Sequence, residues 1–372
     1  MNELITNDSE ERFLIGITHG DLNGIGYEII IKALCDTRIT EILTPVVYGH
    51  SKVASYHRKS VDVGEFNFHN IKNPDQALDK KVNLINCSDE EVRIELGKST
   101  PIAGKMARIA LERAINDLKR GKIHAVVTAP INKENIQSED FPFPGHTEYF
   151  AANFNTRDYL MLMVSGNLRI GVVTGHIPLK DVPAKITPAL LESRIRILNR
   201  SLLRDFGIRK PRIAVLGLNP HAGENGLLGD EENKIIAPVL KKLQDDSIWA
   251  YGPFPSDGFF GSDTYKKFDG ILAMYHDQGL IPFKAIAFEN GVNYTAGLPI
   301  VRTSPDHGTA YDLAGKDQAS PSSMLAAIFL AVDIVRNRRV YDEISSDPLP
   351  ISAEVEGQED ESPDLETEEP NL

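Results

Sequence analysis

The chain has 372 residues, of which 41% are hydrophobic and 25% are charged. This composition is typical of an ordinary globular protein and excludes collagen-like, wholly disordered and disulfide-scaffold chains. At this length a single hydrophobic core stops growing, so two domains are expected. The net charge of -13 is acidic, and no cluster of Lys and Arg forms the basic face that nucleic-acid binding requires.

The acidic excess is concentrated at the C-terminus. The segment from Glu354 to Leu372 contains nine acidic residues and neither Lys nor Arg. Such a segment buries too little apolar surface to offset the entropy lost on ordering. We therefore predict that residues 350–372 form a disordered acidic tail.

Cysteine content and apolar runs indicate the compartment. Cys35 and Cys87 are too few for a disulfide framework and too far apart for a CxxC zinc site, which favours a reducing environment. The N-terminus lacks the basic and apolar regions of a secretory signal, and the apolar stretch near Met324 is interrupted by Asp333. These features predict a cytoplasmic protein that does not enter a membrane.

Alternating strand and helix patterns predict the fold class. Short apolar runs occur at Phe13–Thr18, Pro45–Tyr48, Val82–Ile85 and Ala125–Thr128, with helical periodicity between them. This alternation is the signature of parallel βαβ units and predicts an α/β fold. The helix before Ala125 has one apolar face, and Gly121 is a plausible stop; the face consists of Ala107, Leu111, Ala114, Ile115 and Leu118.

A second series of strands follows, which we interpret as a second sheet. Tyr159–Val164 and Ile170–Thr174 suit a hairpin about Gly166–Asn167, and Ile213–Leu218 and Ile271–Met274 follow helical segments. A final helix, at 322–336, needs a core to cover and is expected to return to the first domain. The predicted domains are residues 1–135 with 300–345, and residues 136–299.

Three histidines share a setting that suits a metal. His176, His221 and His276 each follow an apolar run, at the expected carboxyl end of a strand, where ligands bind in open α/β sheets. Neutral imidazole is a common metal ligand, and three imidazoles leave coordination positions open for catalysis. The alternative is that each histidine only forms a hydrogen bond with its own loop.

Two further segments carry groups suited to anions. One is the turn THGDLNGIGYE, Thr18 to Glu28, whose glycines would let an anion approach the backbone closely. Its sequence is neither a Rossmann fingerprint nor a P-loop, and a tight turn with a purely structural role explains it equally well. His146 and Thr147 lie in PGHTE, where Thr147 could instead cap a helix. The stretch from Lys284 to Arg302 adds two cations and Asn293, which suit a phosphate monoester, with solvation at the surface as the alternative.

Taken together, these segments resemble the 4-hydroxythreonine-4-phosphate dehydrogenase family of pyridoxal phosphate biosynthesis. The likeness extends from about Leu14 to Arg336. It is strongest in PGHTE, in LGLNPHAGENG (216–226), in YHDQGLIPFK (275–284) and in GLPIVRTSPDHGTA (297–310). The opening turn departs from the usual family pattern at His19, Asp21, Leu22 and Asn23.

The resemblance implies a set of site residues. It assigns a divalent metal (Zn, Mg or Co) to His176, His221 and His276, shared between the subunits of a homodimer. It also implies that the substrate-binding residues are His146, Thr147, Lys284, Asn293 and Arg302. The cofactor-binding candidates that it implies are Gly308, Thr309 and Asp312. The implied fold is that of isocitrate and isopropylmalate dehydrogenases, with two α/β/α domains and the active site in the interdomain cleft at the dimer interface.

The implied activity is oxidation and decarboxylation of 4-phosphooxy-L-threonine to 3-amino-2-oxopropyl phosphate with NAD or NADP. Phosphorylated threonate, phosphorylated erythronate and a cyclic diol are alternative substrates within the family. A general base is needed for the hydroxyl proton, and Asp257 and Lys133 are both candidates. Two other classes remain open: a transferase of the phosphate acyltransferase type, and a sensor that binds ligand without catalysis.

Overall fold

A computed structural model describes residues 12–347 and contains, within them, one continuous sheet. Its spatial order is β3-β4-β2-β1-β5-β12-β11-β6-β7-β10-β8-β9. The strands are β1 (Phe13–Thr18), β2 (Leu43–Gly49), β3 (Phe68–Ile71), β4 (Val82–Asn86), β5 (Ala125–Thr128), β6 (Leu160–Ser165), β7 (Leu168–Val172), β8 (Ile213–Leu216), β9 (Ala250–Phe254), β10 (Gly270–Ala273), β11 (Val292–Ala296) and β12 (Val301–Pro305).

Helices connect most of the strands and cover the sheet. They are α1 (Gly26–Leu34), α2 (Ile39–Ile42), α3 (Ser51–Ser60), α4 (Pro101–Lys119), α5 (His146–Asn153), α6 (Val182–Lys185), α7 (Pro188–Arg204), α8 (Ala237–Asp245), α9 (Ser256–Gly261), α10 (His276–Ala287) and α11 (Ser322–Ser346). The predicted α/β class is therefore confirmed.

The prediction of a separate second sheet is wrong. Strands β3, β4, β2, β1, β5 and β12 form one parallel block, and β7, β10, β8 and β9 form another. Between them, β11 and β6 are antiparallel to both of their neighbours. Because the backbone hydrogen bonds continue through β11 and β6, the two blocks belong to one sheet and run in opposite directions.

Local signals placed several elements correctly. The predicted bounds of β1 and β5 match the structure, and β6 and β7 form the predicted hairpin, with Gly166 at a φ of 55°. Helix α4 begins with the Thr100 hydroxyl accepting from the Ala103 N–H, and Gly121 follows its end at a φ of 67°. All five residues of its predicted apolar face are buried.

Helix α11 packs over the junction between the two blocks. It contacts β12, β5 and β1 of the first block, and it also contacts β11 and α7. A buried network fixes it there. The Arg338 Nε–H donates to Asp205 Oδ1 at 2.6 Å, and the Tyr294 hydroxyl donates to Asp205 Oδ2 at 2.6 Å.

Strands from residues 1–135 and 300–345 form one side of the sheet, and those from 136–299 form the other. A division into two domains at these boundaries stays a prediction. The acidic tail predicted at 350–372 lies outside the described residues. Among residues 12–347, no helix combines the length and the apolar character needed to cross a bilayer.

Candidate active site

A cavity of about 340 Å³ lies where β5, β12, β11 and β6 meet the start of α5 and α10. The structure brings all five predicted substrate-binding residues to its wall, together with Lys133 and two of the three predicted metal ligands. The lining residues among these are His146, Thr147, Lys284, Asn293, Arg302, Lys133, His176 and His276. Residues as far apart in sequence as Lys133 and Arg302 therefore converge on one space, because the strands, helices and loops that carry them meet there.

Arg302 is the most informative residue of the cavity. It is only 2% exposed, and its guanidinium donates to the Thr128 hydroxyl at 2.7 Å and to the Thr295 hydroxyl at 3.4 Å. Among the described residues, no carboxylate forms an ion pair with it. Burial lowers the pKa of Arg302 to about 10, which still leaves it charged at neutral pH. The carboxylate of Glu148 also lines the cavity and acts on Arg302 through its charge, without forming an ion pair. A buried cation that has no carboxylate in direct contact favours binding of an anion.

Two more cavity residues have buried polar atoms without hydrogen-bond partners. These atoms are the Nε2 of His146 and the Oδ1 of Asn293. Burial, followed by the charges of Arg302 and Lys133, holds the pKa of His146 well below its usual value, so the ring is neutral at pH 7. Since buried polar atoms in proteins are nearly always paired, these two indicate a site for a polar ligand.

Thr147 and Lys284 occupy different depths of the cavity. Thr147 does not cap a helix, because α5 begins at His146 and Gly145 stands at the capping position. Lys284 is exposed, and its Nζ lies 3.6 Å from Asp306 Oδ2. Burial raises the pKa of Asp306, and the charge of Lys284 opposes that rise.

Sequence reasoning did not select Thr128, Asp306 and His307, which also line the cavity. Thr128 is the last residue of β5, and Asp306 and His307 directly follow β12. The signal that could have identified them is their position at the carboxyl ends of parallel strands. The buried Nε2 of His307 is a further unpaired atom at this site.

His176 and His276 form a pair at the carboxyl edge of the second parallel block. Their ring centroids are 5.5 Å apart with planes tilted by 43°. His276 Nδ1 lies 2.7 Å from Asp277 Oδ1, which leaves Nε2 for another partner. Partial burial, then the charges of Lys133 and His276, lower the pKa of His176. Two neighbouring imidazoles, one oriented by a carboxylate, are suitable ligands for a divalent metal.

His221 is not part of this pair within one chain. It follows β8, whereas β10 lies between β7 and β8 in the sheet, and it lines a separate surface pocket with Asp257 and Tyr275. Within residues 12–347 of a single chain, no three His, Cys, Asp or Glu side chains group closely enough to hold a metal. One chain thus supplies two of the three predicted ligands at the cavity.

The two candidates for the general base lie in different pockets. Lys133 lines the cavity, and Asp257 lies in the pocket that contains His221. A second copy of the chain that brought His221 to the cavity would bring Asp257 with it.

The early turn does not form an open phosphate cradle. A Cβ on Gly24 would lie 2.7 Å from the carbonyl oxygen of Thr309, and a Cβ on Gly26 would lie 2.2 Å from that of His19. The space that these glycines provide is therefore filled by protein backbone. The structural explanation of this turn is the better supported one.

The cofactor candidates lie on the segment that follows β12. Gly308 lines the cavity, the carbonyl of Thr309 accepts from the Ile25 N–H at 3.1 Å, and Asp312 is exposed. The Tyr311 hydroxyl donates to Asp21 Oδ2 at 2.8 Å. This segment is thus fastened to the early turn and forms one rim of the cavity.

Fold and cavity together define an α/β protein with a polar pocket, which contains a buried arginine, beside a histidine pair. Comparison with known proteins gives a more specific class. Residues 41–331 match the family described as pyridoxal phosphate biosynthetic protein PdxA. The 4-hydroxythreonine-4-phosphate dehydrogenase of Bacteroides thetaiotaomicron is 52% identical over 341 residues, which cover 91% of this chain and 93% of that protein.

Two further relatives define the breadth of the likeness. The crystal structure of 4-hydroxythreonine-4-phosphate dehydrogenase from Klebsiella pneumoniae superposes with a TM-score of 0.78 at 37% identity, covering 87% of this chain and 98% of that one. A putative D-threonate 4-phosphate dehydrogenase of Oceanobacillus iheyensis is 40% identical, covering 86% of this chain and 97% of the relative. The chain belongs to the PdxA family, a family of dehydrogenases, and is an oxidoreductase.

Proposed function

We propose that this protein oxidises 4-phosphooxy-L-threonine with NAD or NADP and that the product loses carbon dioxide to give 3-amino-2-oxopropyl phosphate. Two relatives that are 52% and 43% identical to this chain carry the matching name. Membership of a dehydrogenase family favours this activity over a phosphate acyltransferase. It also makes a sensor without catalysis the weaker interpretation.

The observation that carries the proposal is the unpaired charge of Arg302 at the bottom of a polar cavity. A phosphate monoester has two negative charges and several acceptor oxygens, which match a guanidinium fork, a lysine and a hydroxyl. Arg302, Thr147 and Lys284 supply these groups. Asn293 and the neutral ring of His146 can complete the shell of hydrogen bonds, because each has a polar atom without a partner.

The reaction balances in two steps. Hydride leaves C3 of the substrate for the nicotinamide ring, and the hydroxyl proton goes to a base, which leaves a 3-keto acid. The bond between C1 and C2 then breaks, carbon dioxide leaves, and C2 takes up a proton. Lys133 is the base available at the cavity of one chain, and Asp257 becomes available if a second copy contributes its pocket.

We further propose a homodimer in which His221 of one subunit completes the pair formed by His176 and His276 of the other. When bound, a divalent metal at three imidazoles would acidify the substrate hydroxyl and stabilise negative charge on its oxygen during both steps. His176 and His276 are already arranged for this role, because Asp277 orients the ring of His276.

A spectrophotometric assay tests the proposed activity. The purified full chain is supplied with Zn²⁺, Mg²⁺ or Co²⁺ and with NAD or NADP, and is then given 4-phosphooxy-L-threonine, phosphorylated threonate or phosphorylated erythronate. We expect reduced nicotinamide to form fastest with 4-phosphooxy-L-threonine and a chelator to abolish the signal. A faster reaction with phosphorylated threonate would move the assignment to the activity named for the Oceanobacillus relative. Absence of turnover with all three substrates would overturn the proposal.

An Arg302→Met variant tests the phosphate assignment separately. Loss of a charge-assisted fork to the substrate phosphate should lower kcat/KM by about 100-fold or more. The unliganded variant should unfold no more easily than the native protein, because a buried and unneutralised charge has been removed. Arg157→Met, at an exposed position outside the cavity, is the matched control. Native kcat/KM in Arg302→Met would contradict the assignment.

A further inference from the structure

The turn that carries His221 has an unusual backbone. Five consecutive residues, His221 to Asn225, have φ values of 52°, 50°, 80°, 42° and 55°. Only the central one, Gly223, is a glycine. Because the left-handed conformation costs about 1–2 kcal/mol for each residue with a Cβ, the surroundings must hold this turn in place. We refer to His221–Asn225 as the left-handed turn.

One buried carboxylate binds Asn219, two residues before the left-handed turn, and lies beside the middle of the turn. Glu232 is 2% exposed. Its Oε1 accepts from the Asn219 N–H at 2.7 Å, and its Oε2 accepts from Asn219 Nδ2 at 2.9 Å. The same Oε2 lies 2.7 Å from the point that a Cβ on Gly223 would occupy. The Glu232 carboxylate therefore occupies the space that a side chain at position 223 would need.

The charge of Glu232 is not explained by an ion pair. Among the described residues, no Lys, Arg or His side chain pairs with it. A buried carboxylate without a cation is costly, and a buried apolar side chain would stabilise the fold better. A residue of this kind is expected where geometry, rather than stability, is required.

A second contact links the same region to the histidine pair. Gln278, in the first turn of α10, donates through Nε2 to the Gly217 carbonyl at 2.6 Å, and its Oε1 accepts from the Met274 N–H. Gly217 follows β8, and Met274 precedes His276. The base of the left-handed turn and the start of α10 are thus fixed to one another at the same edge of the sheet.

We propose that Glu232 is a positioning residue that, through Asn219 and its packing against Gly223, holds the left-handed turn so that His221 is presented to a divalent cation. The inference rests on the proposed function, which places His221 in a metal site. Glu232 itself touches neither the metal nor the substrate. Its contribution is to the geometry of one ligand.

The test compares two affinities in the full-length protein. Zn²⁺ affinity is measured by competition with a chromophoric chelator, and the affinity for inorganic phosphate is measured by calorimetry. Glu232→Gln should weaken Zn²⁺ binding about 10-fold, the lower end of what second-sphere changes cost, while phosphate affinity stays within about twofold of native. Asn219→Ala, which removes one of the two donors, should act in the same direction with a smaller loss. Asp245→Asn, exposed at the end of α8, is the control.

The outcomes separate this inference from the proposed function. If His221→Ala loses Zn²⁺ affinity and both Glu232→Gln and Asn219→Ala bind as the native protein does, the positioning role is refuted. If His221→Ala also binds Zn²⁺ with native affinity, the metal assignment itself fails. A parallel loss of Zn²⁺ and phosphate affinity in Glu232→Gln and Asn219→Ala would indicate a purely structural role and would overturn the inference.

Discussion

The chain contains two glycine-rich turns that follow strands of the same sheet, and they are built in opposite ways. The turn after β1, residues 19–26, is buried throughout. Its side chains are tied to other loops, for example Asp21 to Asn135 Nδ2 at 2.8 Å and Asn23 to the Thr100 hydroxyl at 2.9 Å. The turn after β8 has His221 exposed and its backbone in the left-handed region.

The difference lies in what occupies the space beside each glycine. In the early turn that space is filled by the carbonyl oxygens of His19 and Thr309. In the later turn the carboxylate of Glu232 fills it at Gly223. A glycine-rich sequence therefore does not distinguish a structural turn from a ligand-binding turn. Close approach of protein backbone and close approach of a ligand both require a residue without a side chain. The strain and exposure of the turn after β8 are the features on which the proposed role of His221 rests.

The largest expected effect is that of filling the early turn. A Cβ at Gly26 would lie 2.2 Å from a backbone carbonyl oxygen that cannot move aside cheaply, so Gly26→Ala should lower the free energy of unfolding by about 3 kcal/mol. Urea denaturation measures the loss. Gly258→Ala, in α9 with nothing within 4 Å of the added Cβ, should stay within about 0.5 kcal/mol of native. Equal losses of unfolding free energy in Gly26→Ala and Gly258→Ala would contradict this explanation.

A smaller effect should appear as acid sensitivity of the early turn. Burial lowers the pKa of His19 to about 3, below its ordinary value of 6.5. The unfolded state therefore binds a proton that the folded state excludes, so stability is full above pH 6.5 and is lost as the pH falls toward 3. The His19 contribution lost between pH 7 and pH 5 is about 2 kcal/mol at most.

His19→Gln tests this pH dependence, with exposed His69→Gln as its control. Urea denaturation across pH 4–7 should show a flatter dependence of the unfolding free energy in His19→Gln and an unchanged one in His69→Gln. Buried His57, whose pKa is also lowered by burial, keeps part of the dependence in both variants. Identical slopes in the two variants would refute the explanation.

The smallest effect concerns backbone strain in the later turn. Ala222 has a φ of 50°, where glycine is favoured, so Ala222→Gly should leave stability unchanged or raise it by up to about 0.5 kcal/mol. The same substitution at Ala152, exposed near the end of α5, should lower stability by about 1 kcal/mol. Thermal unfolding of the two variants should therefore shift in different directions. A loss at Ala222 equal to that at Ala152 would show that the turn is not strained.

Much of the fold could be predicted because it rests on local pattern. Strands β1 and β5 consist of buried, mostly apolar residues between clear turn signals, and the Gly166–Asn167 hairpin is a two-residue loop. Strands β11 and β12 were not predicted, since the polar residues Asn293, Thr295 and Arg302 interrupt their apolar pattern. Asn293 and Arg302 line the cavity, and Thr295 accepts a hydrogen bond from Arg302. Missing these two strands produced the mistaken second sheet.

The candidate site was also predicted in part. The residues of the proposed substrate pocket were predicted from residue type and family likeness, and the structure brings them together within one chain. The histidine set was predicted as a unit, yet one chain assembles only His176 and His276, because the turn after β8 places His221 in a different pocket. Residue type and spacing predict which groups act, and the arrangement of the strands determines which of them meet.

The central claim is that a second copy of the chain completes the histidine set, and subunit complementation tests it most directly. His176→Ala and His221→Ala chains carrying different affinity tags are coexpressed, and the mixed dimer is isolated by two purification steps and assayed for reduced nicotinamide with 4-phosphooxy-L-threonine. Each variant alone should be inactive. The mixed dimer should regain about half of the native activity, because one of its two sites contains all three histidines. A mixed dimer as inactive as its parents, or failure of the two chains to associate, would contradict the account.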